Sequence, residues 1–228
     1  MALILSLETS TDNCGVALHQ SGELLASRLV QEAGAHSKML PELIDQVMIQ
    51  SGHRMEDLDA VAVSEGPGSY TGLRIGVSTA KGLAFALGIP LIGINTLYAL
   101  AKQAWNEIPS ILVISMLDAR RMEVYREIFG TNGEVLDPSA PEILDENSFL
   151  PWLSKSKVYF VGNANQKAQE VITHPNAVFL DLLPNANTVG ELAWEKFKQQ
   201  KFEDVAYFTP NYLKEFRVLK SKKNPFAS

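Results

Sequence analysis

Two stretches of this sequence concentrate residues able to do chemistry: Glu8-Thr9-Ser10-Thr11-Asp12-Asn13, and Gly66-Pro67-Gly68-Ser69-Tyr70-Thr71-Gly72. The second has the makings of an anion cradle. Glycines let backbone approach a ligand closely, and the helix that should start there offers unpaired N–H groups and a positive dipole end. The same glycines would equally serve a strand-to-helix turn that needs them for packing alone. Glu8, Thr9, Ser10, Gly66, Gly68, Ser69, Gly72 and Arg74 are therefore the candidate anion or nucleotide contacts. Glu8, with Asp12 and Asp118 brought near by the topology, could hold a magnesium ion; a solvated turn is the alternative.

Other chemistries are excluded more cleanly. The 66–72 loop lacks the Gly-Lys-Ser/Thr ending of a Walker A loop and the spacing of a dinucleotide fingerprint. Thr71 stands where a nucleophile elbow around Ser69 needs its second glycine. His19, His36, His53 and His174 form no His-x-x-x-His pair, and Cys14 is the only cysteine, so no zinc-type site assembles locally. The lone cysteine also fits a reducing compartment. The apolar run Leu3–Leu7 is too short for a signal peptide, and Gly88 and Pro90 interrupt the apolar stretch from Leu83 to Ile94. A soluble, cytoplasmic protein with no membrane contact is expected.

The elements that must position these residues follow from periodicity. Leu3–Leu7, Cys14–Leu18 and Leu24–Val30 predict an antiparallel meander. Residues 37–51 predict a helix with Leu40, Leu43, Ile44 and Val47 on one face and Gly52 as its stop. A buried strand at 60–63 leads through the glycine loop into a helix ending near Leu87. A strand at 91–94 and a helix capped by Asn95 or Thr96 follow. The opening pattern then returns. The apolar strand 111–117 ends at Asp118 as the first ends at Glu8, and a second strand, 122–129, runs to the turn at 130–133. Repetition about 110 residues apart predicts a duplicated lobe. The Pro-rich stretch with Pro138, Pro141 and Pro151 reads as a connection, followed by a strand at 158–161 and helices at 165–173 and 188–199. Two α/β lobes, 1–104 and 105–228, joined near 102–110, are the expected organisation.

Net charge is −6 over 228 residues, yet residues 214–223 carry a local +4. An acidic chain is a poor stand-alone nucleic-acid binder. The basic tail is expected to be dispensable for folding and to serve assembly or RNA affinity. On the 70–87 helix, Leu73, Gly76, Val77 and Ala80 make an apolar, small-residue stripe. With Leu40, Leu43 and Val47 it is expected to form a subunit interface.

Several stretches resemble the TsaB (YeaZ) family. They are Ser6–Thr11, His36-Ser37, Val63–Gly76, Gly93–Leu100, Leu117–Tyr125 and Pro210–Leu213, which together span nearly the whole chain. The resemblance implies a two-lobed, actin-like ATPase (ribonuclease H-like) α/β fold. It also implies a role in making threonylcarbamoyladenosine, next to the anticodon of tRNA. In that role the chain would be the non-catalytic partner of TsaD, with TsaE and TsaC as further components, tRNA met indirectly, and a homodimer when alone. Where TsaD carries its metal-binding histidines, this sequence has Thr96 and Leu100; leucine cannot ligate a cation. Val161-Gly162-Asn163-Ala164 has one glycine where the superfamily's nucleotide turn is richer. The resemblance thus implies no cofactor bound alone, with ATP or ADP only at a partner seam. The alternative is a stand-alone enzyme of this fold, a metallopeptidase-like hydrolase or a small kinase.

Overall fold

The computed structural model describes residues 1–32 and 34–214. The first unit comprises β1 (Leu3–Glu8), β2 (Asn13–Gln20), β3 (Glu23–Gln31), α1 (His36–Ser51), β4 (Ala60–Gly66), α2 (Tyr70–Leu87), β5 (Leu91–Asn95) and α3 (Thr96–Glu107). The second comprises β6 (Val113–Asp118), β7 (Glu123–Phe129), β8 (Val135–Ile143), α4 (Leu150–Leu153), β9 (Val158–Val161), α5 (Asn165–Gln169) and β10 (Ala177–Leu180). The last helix is α6 (Ala186–Lys198).

The strand orders, β3-β2-β1-β4-β5 and β10-β9-β6-β7-β8, are the same topology written in opposite directions. In each sheet the first three strands are antiparallel, and the fourth and fifth join parallel to the first. The duplication expected from two acidic strand ends is therefore a strand-for-strand repeat. Alternating side chains place successive β1 residues on opposite faces. Leu3, Leu5 and Leu7 join the core under α1 and α2. Ile4 joins the core under α6. In the second sheet, Ile114 and Met116 face α4 and α5, while Val113 and Leu117 face α3. Helices α3 and α6 touch each other and form a shared layer between the sheets.

Three expectations need correction. Most of the Pro-rich connection is strand β8, paired with β7 through two irregularities in register, and Pro151 lies in the first turn of α4. As an edge strand it tolerates Pro138 and Pro141, whose missing N–H groups are not needed by a further neighbour. The helix expected over 165–173 stops at Gln169. Finally, the second lobe does not contain everything after residue 105. Helix α6 packs on β1, β2, β4 and β5, with Val189 and Ala193 buried against Ile4, Ala60, Ala62 and Ile92.

The chain then crosses the first sheet. Glu203 N–H donates to the Leu91 carbonyl (2.9 Å), and Asn211 N–H donates to that of Glu65 (2.7 Å). Of the basic tail, only Lys214 is described. It pairs with Glu123; the rest lies outside the described residues. Among the described residues no helix is long and apolar enough to cross a membrane.

Candidate functional site

The acidic turn after β1 and the glycine loop before α2 meet at the carboxyl ends of β1 and β4, but they meet each other and not an open cleft. Glu8 is fully buried. Its Oε1 accepts the Ser10 N–H at 2.6 Å, and its Oε2 accepts the Ser64 hydroxyl. The Thr9 hydroxyl donates to the Gly72 carbonyl at 2.8 Å. Ser69 N–H donates to the Ser10 carbonyl at 2.6 Å. The His36 Nε2 lies 2.8 Å from the Thr11 carbonyl and pins the far end of the turn.

This contact explains the glycines. A Cβ on Gly68 would overlap the Ser10 backbone, one on Gly72 the Thr9 carbonyl, and one on Gly76 the Thr9 hydroxyl. The cradle read from the glycines is therefore filled by the chain's own residues 9 and 10. Thr9 and Ser10 are buried. Ser69 caps α2 by accepting the Gly72 N–H. Arg74 lies over the Tyr70 ring, 4.3 Å from its centroid.

Of the two readings of Glu8, a magnesium site with Asp12 and Asp118 or a solvated turn, the described residues form neither. No group of three or more His, Cys, Asp or Glu among the described residues is placed to hold a metal. Glu8 is occupied as above, and Asp118, in the second lobe, pairs with Lys167 at 3.2 Å. The second lobe repeats the closure. A Cβ on Gly162 would overlap the Met116 carbonyl, and Asp118 N–H donates to Asn163 Oδ1 at 2.9 Å. Thr96 and Leu100 are fully buried, Leu100 in the core between α3 and the second sheet.

Burial pushes the Glu8 carboxyl above its usual range, although hydrogen bonds from Ser10 and Ser64 and the nearby His36 oppose this. Burial and then the Glu8 charge push the Cys14 thiol up to about 11. A raised carboxyl favours the folded state most below the unfolded value, and that contribution is lost as pH rises through the folded value. Glu8→Gln keeps the acceptor for Ser10 and removes the charge. Its stability relative to wild type should therefore improve progressively from near the ordinary value of 4.5 toward higher pH. Urea midpoints of both proteins across that range test this; a constant difference would mean that Glu8 ionises normally.

The stripe expected to be an interface is core. Leu40, Leu43, Val47, Leu73, Val77 and Ala80 are each at most 3% exposed, and Gly76 is buried against Thr9. The amphipathic pattern of a core-facing helix is the same as that of a docking helix, so the stripe marks the sheet-facing side. The outward sides carry what was missed: Ile49 on α1 is 80% exposed and Phe85 on α2 is 81% exposed. Their signal was a large apolar residue standing outside the apolar stripe of its helix.

Residues 30–222 match the family model described as "TsaD: tRNA N6-adenosine threonylcarbamoyltransferase". The chain is 33% identical to the tRNA threonylcarbamoyladenosine biosynthesis protein TsaB of Escherichia coli, over 92% of this chain and 94% of that one. It belongs to the TsaB family. The TsaB protein of Haemophilus influenzae is 32% identical, over 92% of this chain and 93% of that one. The solved structure of YeaZ from Pseudomonas aeruginosa superposes with a TM-score of 0.82 at 28% identity, covering 93% of this chain and all of that one. The fold is thus the two-lobed, actin-like α/β fold of that family, with the chain spanning nearly the full length of its TsaB relatives.

Proposed function

We propose that this chain is the accessory, non-catalytic subunit that supports a TsaD homologue in placing threonylcarbamoyl on adenosine next to the anticodon of tRNA. The TsaB relatives named for that pathway support the reading, and so does the match to the TsaD family model. The observation that carries it is the outer surface of α1 and α2, where Ile49 and Phe85 stand in solvent on helices whose other sides are buried. Large apolar side chains in that setting suit an interface. A TsaD homologue occupies it in the complex, and a second copy of this chain occupies it in isolation. TsaE and TsaC homologues are further components, tRNA is met indirectly, and the work is cytoplasmic. Any ATP or ADP belongs to a partner seam. The chain's own glycine turn is filled, and Thr96 and Leu100 lie in the core. A hydrolase or kinase reading has no such support.

Phe85→Glu and Ile49→Glu should each weaken the complex with the TsaD homologue by about thirtyfold or more, as for central apolar anchors. Size exclusion with light scattering on the mixed proteins reads this, with a reconstituted tRNA modification assay alongside. Circular dichroism of each variant alone should match wild type, since exposed positions tolerate substitution. A complex formed as well by both variants would remove this surface from the proposal.

A further inference from the structure

Where α3, α6 and the β7–β8 turn meet, away from the two closed turns, lies a groove of about 750 Å³. Its size is that of a small-molecule site. One wall is the ring cluster of Tyr98, Trp105 and Phe129, whose centroids lie 5.7 to 5.9 Å apart in edge-to-face contacts. Lys102 and Lys196 stand among the lining residues. Their ammonium groups are engaged by the chain itself, Lys102 with Asn106 Oδ1 at 2.8 Å and Lys196 with the Gly93 carbonyl at 2.6 Å.

Of the two carboxylates that line the groove, Glu195 pairs with Lys198 at 2.9 Å, while Glu127 is 7% exposed. It sits on β7 two residues from Tyr125 and Phe129, so all three lie on one face of the strand. Burial pushes its carboxyl above the usual range, opposed by the nearby Asn95 side chain, Arg126 and the Ser139 backbone. Among the described residues its Oε2 nonetheless has no hydrogen-bond partner. A buried carboxylate oxygen without a donor is costly and calls for an explanation.

We propose that the groove binds a small organic amine, its apolar or aromatic body lying against Tyr98, Trp105 and Phe129 and its amino group donating to Glu127. The sign of the carboxylate selects an amine over an acid. A charge-assisted hydrogen bond is stronger than a neutral one, which selects an amine over an alcohol of the same shape. Tyrosine and tryptophan faces add attraction for a cation. The site is independent of the α1–α2 surface, so partner binding and amine binding can fail separately.

The test is a titration of the full chain with phenethylamine, 2-phenylethanol and phenylacetate, followed through backbone amide shifts. Phenethylamine should shift the amides of Tyr98, Trp105 and Phe129 and bind about tenfold or more tightly than 2-phenylethanol. Phenylacetate should be weakest. Glu127→Gln, which keeps the shape and loses the charge, should erase the preference for the amine. Equal binding of amine and alcohol by the wild type overturns the proposal, as does an amine preference that survives in Glu127→Gln. So does the absence of groove shifts with any of the three. Should the variant fail to fold, the wild-type comparison still decides.

Discussion

Gly72→Ala should destabilise the folded chain by about 2–3 kcal/mol, although alanine is the better helix former by about 1 kcal/mol. Gly72 is helical and lies in the first turn of α2, so propensity alone favours the substitution. The new methyl, however, would overlap the Thr9 carbonyl, which is backbone and cannot swing aside. That carbonyl belongs to a turn held by the Glu8–Ser10, Glu8–Ser64 and Ser69–Ser10 hydrogen bonds, so moving it strains all of them. Gly82, on the exposed side of the same helix, has nothing among the described residues within contact distance of an added Cβ. Gly82→Ala should therefore stabilise by up to about 1 kcal/mol. Urea unfolding of the pair separates packing from propensity within one helix. Equal effects of the two substitutions would mean that the 9–10 turn is not seated in the glycine loop.

Ending the chain after Gln200 should lower the melting temperature by about 10 °C or more, given that 1 kcal/mol is worth roughly 2–4 °C at this size. The removed segment includes Val205 and Phe208, which pack on the core beneath α1 and α2. Each contributes about 1–2 kcal/mol as a half-buried apolar side chain. The carbonyls of Ala206 and Phe208 accept from Lys81 Nζ at 3.2 and 2.8 Å, and the two backbone bonds to Leu91 and Glu65 go as well. Phe208→Ala alone should account for about 2 kcal/mol. Tyr207→Ala should change little, because Tyr207 is 83% exposed. A truncated chain melting within a few degrees of wild type would show that the crossing segment only rests on the sheet.

The parts of the fold that were legible in the sequence are those where local pattern and tertiary burial agree. Strand β1 and its acidic end, helix α1 stopped by Gly52, and helix α2 between Ser69 and Gly88 all declare themselves through periodicity and caps. Strand β8 did not, because its prolines argue against a strand unless its edge position is known. Strand β10 is short and half-buried along its length, so it has no alternation to read. The placement of α6 depends on a long-range contact that no local pattern encodes. The site was misread for a related reason. Glycines report that something must come close, and the spacing around Gly68 and Gly72 cannot distinguish a ligand from the neighbouring turn. Glu127 was overlooked because a carboxylate on a strand usually faces water, and only the burial of Phe129 and half-burial of Tyr125 on the same face reveals otherwise.

The seating of α6 on the first sheet also bears on how the molecule is made. Strands β1, β4 and β5 are complete within the first 95 residues, yet the face formed by Ile4, Ala60, Ala62 and Ile92 is covered by Val189 and Ala193. During synthesis that face has only Ala99 of α3 against it while the whole second lobe emerges from the ribosome, and it closes only when residue 198 has cleared the exit tunnel. The beginning of the chain thus waits for its end, and a nascent fragment of the first lobe carries an apolar sheet face that a chaperone can hold in the interval.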